Sequence, residues 1–175
     1  MTTKVTVDQV LGWNPCGPYT RTVIEDLIGI DATTEELRNL DIPAADRFWV
    51  LVHLLSESDC YLLAADLAEQ LIEVLSVHHA SARNIVNMLR KYARGRASSE
   101  DMKVAWQAAQ RARLDTRDVW TRVQYAWSHW ALKQARDPYI HAFYIALQTA
   151  QNSQDSASFW TSALDSVVSM IEAGE

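Results

Sequence analysis

The stretch DTRDVWTRVQYAWSHWALKQAR, residues 115–136, carries three of the seven tryptophans of this 175-residue chain. Trp120, Val123, Trp127, Trp130 and Ala131 follow one another at spacings of three, four, three and one, which lays them along one broad helical stripe. Arg117, Arg122, Lys133 and Arg136 fall away from the Trp120–Trp127 line, on the side left to water. Asp115 or Thr116 suits an N-cap, Asp118 the positive first turn, and Lys133 and Arg136 the last turn. Burial of one large apolar side chain contributes roughly 1.5–3 kcal/mol. Three indoles on one helix therefore predict the central element of the fold. The competing reading is an aromatic partner groove, since tryptophan is favoured at binding hot spots.

Working outward, the rest of the chain repeats the helical pattern. Thr6 with Gln9, and Thr33 with Glu36, have the spacing of capping boxes. The run GWNPCGP, residues 12–18, forces a turn. A helix from about Tyr19 to Ile28 is expected to face Tyr19, Val23, Ile24 and Leu27 inward and to stop at Gly29. Pro43 opens a helix whose FWVLVHLL segment is apolar on nearly every side except His53, so it should be buried all round. The helix from about Asp59 to Val77 leaves only Asp66, Glu69 and Glu73 as a narrow acidic line. Gly95 stops the following helix, and Ser98 with Asp101 starts the next. After Asp137-Pro138 a helix buries Tyr139, Phe143, Ala146, Leu147 and Ala150, and the last one runs through Trp160, Ala163, Leu164, Val167, Val168 and Ile171.

A chain of this length fits one domain with a sizeable core. Five glycines and four prolines are few for a β-rich protein. The expectation is an all-α fold: residues 1–175 as a single compact bundle of about eight or nine helices in successive antiparallel pairs, with no β-sheet. Short helices within residues 1–40 would pack on longer ones within 43–172. No apolar run approaches the ~20 residues of a bilayer span, and Met1–Gly12 lacks the regions of a signal peptide, so a cytoplasmic protein without a membrane partner is expected. Cys16 and Cys60 have neither C-x-x-C nor metal-ligand spacing, and Cys60 reads as a small buried residue.

Charge is segregated. Residues 1–80 hold 13 acids and 4 bases, residues 81–136 hold 12 bases and 4 acids, and residues 137–175 hold 5 acids and no Lys or Arg. The basic block either pairs internally with the acidic helices or faces a partner. Phosphate loops, zinc motifs and nucleophile elbows are all missing from the sequence, so no catalytic residue, cofactor or metal ligand is assigned.

The pattern Arg90, Tyr92, Ala93, Gly95, Ala97, Ser98, Glu100, Ala105, Ala108 and Ala109 resembles a family of small all-helical, immunity-protein-like bacterial and phage proteins. The resemblance is clearest over residues 83–112. It extends back to LAADLAE at 63–69, to IPAADR at 42–47 and to WNPC at 13–16. The C-terminal third departs from the plain alanine-rich repeat of such proteins, with Trp120, Trp127, Trp130, Tyr139, Phe143, Tyr144 and Trp160. The resemblance implies a non-enzymatic inhibitor, immunity or anti-defence protein that occludes a surface of another protein. The acidic N-terminal block, not the resemblance, suggests its contact face, Asp59, Asp66, Glu69 and Glu73, meeting a basic target. Two alternatives stand beside it. One is nucleic-acid binding through Arg83, Arg90, Lys91 and Arg94, with Arg96, Arg111 and Arg113 in the same block. The other is a self-assembling structural helical module; the oligomeric state is left open.

Overall fold

Thr6 and Thr33 each close a three-residue strand and open a helix. The computed structural model describes residues 4–74, 80–111 and 138–174. In it β1 (Lys4–Thr6) pairs antiparallel with β2 (Asp31–Thr33), in the register Lys4 to Thr33, Val5 to Ala32 and Thr6 to Asp31. This small sheet corrects the expectation of no β-sheet. Its physical reason is in the caps. An N-cap residue must be extended, and Thr6 (φ −95°, ψ 160°) and Thr33 (φ −76°, ψ 163°) are. Extension of the two preceding residues lets each strand bury one apolar residue, Val5 and Ala32. Lys4 Nζ donates to Asp31 Oδ1 at 2.8 Å across the pair.

Both threonines complete capping boxes with Gln9 and Glu36 and start α1 (Val7–Gly12) and α3 (Thr34–Arg38). Between them lies α2 (Arg21–Ile28), capped by Thr20 and ended by Gly29 at φ +64°. Its Ile24 is buried, but Val23 is exposed, against expectation. Helix α4 (Ala44–Val52) follows Pro43, which occupies the N-cap and makes no side-chain cap bond. It buries Phe48, Val50, Leu51 and Val52, as its apolar run predicted. His53 closes α4 as a boundary residue. Its ring stacks on Trp13 with centroids 4.9 Å apart and tilts against Trp49 at 4.5 Å, and its Nδ1–H donates to the Trp49 carbonyl oxygen at 2.7 Å.

Among the described residues the long helices are α5 (Glu57–Val74), α6 (Ala80–Ala93), α7 (Ser99–Arg111), α8 (Pro138–Asn152) and α9 (Ser156–Gly174). The chain is mostly helical, in nine described helices. Helix α5 lies at the centre: α8 packs along it most extensively, α6 lies beside it and carries α7, and α9 crosses α4 and α8. Every described element contributes to one hydrophobic cluster, from Val5 to Ile171. The wide apolar side of α5 buries Cys60, Tyr61, Leu63, Ala64, Ala65, Leu67 and Ala68, and the small residues Ala142 and Ala146 let α8 come close to it. Thr149 is the buried polar pin of that contact. Its hydroxyl donates to the Ile145 carbonyl 2.8 Å away, with Leu67 O of α5 at 3.4 Å.

The turn between α6 and α7 is the one the sequence marked. Gly95 has φ +64°, its N–H bonds Tyr92 O at 2.9 Å and the Arg96 N–H bonds Lys91 O at 2.8 Å, the paired bonds of a Schellman stop. Ser98 and Asp101 then form a reciprocal cap. The tryptophan stripe of residues 115–136, and with it the central helix expected there, lies outside the described residues.

Candidate partner-binding surface

Positions 59, 66, 69 and 73 are separated by seven, three and four residues, so α5 carries all four acids on one face. Their situations differ. Asp59 is engaged in its own helix start: Ser56 Oγ donates to Asp59 Oδ2 at 2.6 Å, and the Asp59 N–H returns to Ser56 Oγ at 3.1 Å. Asp66 and Glu69 share one guanidinium. Arg90 reaches over from α6, and its Nη2 donates to Asp66 Oδ1 at 2.6 Å and to Glu69 Oε2 at 2.5 Å. These two bonds, Glu69 first, raise the Arg90 pKa further above its ordinary value. Glu73 is exposed.

The two predicted faces therefore meet at Arg90. Arg83, Asn87 and Arg90 lie along one line of α6, with Lys91 beside it and Arg94 in the turn just past its end. Arg83, Lys91 and Arg94 are exposed and form no ion pair among the described residues. Arg96 is likewise exposed. The structure thus removes Arg90 from a phosphate-tracking line and hands it to the acidic helix. One arginine against two carboxylates leaves the α5 face net acidic.

The other flank of Asp66 opens into a slot of about 670 Å³ between α5 and α9. Leu63, Leu67 and Met170 supply apolar wall, and Asp66 and Gln70 line the α5 side. Opposite, α9 presents Ser158, Thr161, Ser162, Asp165, Ser166 and Ser169. Two of these hydroxyls are committed as donors to their own helix, Thr161 Oγ1 to Ala157 O at 3.0 Å and Ser166 Oγ to Ser162 O at 2.9 Å. A hydroxyl that donates backward keeps only its lone pairs for the slot. With the carboxylates of Asp66 and Asp165, the polar lining is rich in acceptors. Asp165 is held from outside by Arg38 of α3, as Asp66 is by Arg90.

Sequence reasoning found the α5 acids and missed the α9 half of the slot. Its signal was present: Ser158, Ser162 and Ser166 recur every four residues, with Asp165 and Ser169 on the same side. A serine face reads as plain solvent surface until the opposite helix, about 100 residues earlier in the chain, is placed against it. Among the described residues no group of three or more His, Cys, Asp or Glu is placed to hold a metal ion. No described helix is long and apolar enough to cross a membrane. Comparison of the chain with family models, curated proteins and solved structures finds no match.

Proposed function

We propose that the chain is a non-enzymatic protein-binding module of the inhibitor, immunity or anti-defence kind, of bacterial or phage origin. It acts in the cytoplasm by occluding a basic surface of a target protein. In this reading the helices form one bundle of antiparallel pairs whose outer α5–α9 face meets the target. The observation that carries it is the acceptor-rich slot, whose complement is a set of donors: Lys and Arg side chains of a partner. Arg38 and Arg90 sit at its edges and hold Asp165 and Asp66 in place before a partner arrives, which lowers the ordering cost of association. The resemblance of residues 83–112 to immunity-protein-like chains supports the same class.

The test is affinity capture from a host lysate by the full chain. Asp66→Lys, Glu69→Lys and Glu73→Lys together should abolish the co-eluting protein while the helical circular dichroism is retained. Capture at the wild-type level by that folded variant removes this face from the reading.

The exposed Arg83, Lys91 and Arg94 favour one second reading, a nucleic-acid interface on α6. Binding of duplex or single strands at low salt that falls steeply as salt rises would support it. An absence of binding at low salt removes it.

A further inference from the structure

The two helices that form the slot are one-sided in charge. Helix α5 holds five carboxylates and α9 holds two, and neither contains a Lys or Arg. Among the described residues, positive charge reaches the slot's carboxylates from two arginines on other helices. Arg90 of α6 is shared between Asp66 and Glu69, and Arg38 of α3 between Asp165 and Glu35. Each wall thus sets two carboxylates against one guanidinium and keeps one negative charge unmatched.

Each lining carboxylate also has a neutral acceptor one helical turn away. Gln70 follows Asp66 by four residues, Thr161 precedes Asp165 by four, and all four line the slot. Neighbours at that spacing stand about 5–6 Å apart, a span that one ammonium bridges with two N–H···O bonds of ~2.9 Å. Thr161 Oγ1 gives its proton to Ala157 O, so it offers a ligand only lone pairs. Half-buried Met170, with Leu63 and Leu67, supplies apolar ground for an aliphatic stem. Arginine loses its usual advantage here. A guanidinium grips a carboxylate in bidentate fashion where both oxygens are free, and Asp66 Oδ1 and Asp165 Oδ1 already accept from Arg90 and Arg38. An ammonium needs single acceptors in no fixed plane.

We propose that the slot is a double lysine seat for a segment of the partner protein. One ammonium donates to Asp66 and Gln70, the other to Asp165 and Thr161, and the stems lie on the apolar wall. The inference rests on the protein-binding reading of this face and adds which side chains the partner brings to it.

The experiment titrates the full chain at physiological salt with three blocked tripeptides: acetyl-Lys-Gly-Lys-amide, its diarginine counterpart, and a form with one lysine acetylated. Binding is read from the amide chemical shifts of α5 and α9. The dilysine peptide should bind in the millimolar range, more tightly than the diarginine one. It should lead the acetylated form by about fivefold, the upper end for one exposed ion pair. Asp66→Asn and Asp165→Asn should each weaken it about fivefold, and both positions are exposed, so neither variant threatens the fold. Gln70→Leu, which keeps every charge, should weaken it about threefold. Glu57→Gln, which removes an α5 charge outside the slot, should change it by less than about twofold. No shift with the dilysine peptide, or diarginine binding as tight, overturns the proposal. A loss at Glu57→Gln equal to that at Asp66→Asn also overturns it, since attraction to the acidic face at large would then suffice. The two claims fail separately: lysate capture that stands while no peptide binds contradicts the lysine seats, and peptide binding without capture contradicts the protein-binding reading.

Discussion

Two glycines separate backbone need from mere occurrence. Gly95 sits at φ +64°, and a Cβ there would meet nothing within 4 Å, so the only objection to a side chain is the left-handed backbone. Gly12 has the same open surroundings without a positive φ, and it is the last residue of α1. Gly95→Ala should therefore lower stability by about 1 kcal/mol, while Gly12→Ala should leave it unchanged or raise it by a few tenths. Urea unfolding of the two variants checks this. A Gly95→Ala protein as stable as the wild type would show that the turn tolerates another conformation. Gly95 was legible in the sequence because everything it does is local. Val23 was misplaced for the opposite reason: eight residues of helix give two turns, and their period alone does not say which side another element covers.

Among the elements, starts and stops were the most readable features, since a cap involves residues three positions apart. The boxes at Thr6, Thr33 and Ser98 all stand where the sequence put them. The strands were not readable. Each is three residues long, and their pairing joins positions 25 to 29 apart, a separation that local pattern does not carry. The caps also make α7 pH-sensitive at its start. Asp101 is held below its ordinary value of 3.8, first by the Ser98 N–H and then by the Ser98 hydroxyl. A depressed folded pKa contributes stability above the unfolded value that is lost as pH falls through the folded one. The same holds for Glu36, lowered from 4.5 mainly by the Thr33 N–H. Loss of the Ser98 hydroxyl should cost ~1 kcal/mol at neutral pH. The gap between wild type and Ser98→Ala should narrow as pH falls below about 4, where the unfolded carboxyl takes its proton. Unfolding series at pH 6 and pH 3 measure it, and an equal gap at both would contradict the reciprocal cap.

At the scale of the whole molecule, the segregation of charge along the chain becomes partial pairing in space. Arg90 and Arg38 each cross between helices to hold a carboxylate of the α5–α9 slot, while Arg83 and Lys91 on α6 and Arg94 just past its end stay exposed. Surface pairs of this kind contribute only ~0–1 kcal/mol each, so their placement matters more for orienting the slot's acceptors than for holding the fold. The acidic line of α5 was visible in the sequence, and its pairing with the basic block was one of two options left open there. The slot was invisible because it exists only between helices remote in sequence. Photo-crosslinking separates the two uses of this surface most directly. A crosslinking residue would replace Ser162, in the slot, in one full-length protein and Arg83, on α6, in another, each irradiated in host lysate. Protein adducts from position 162 and none with nucleic acid from position 83 are the predicted result; nucleic-acid adducts from position 83 with none from position 162 would contradict a protein-occluding face.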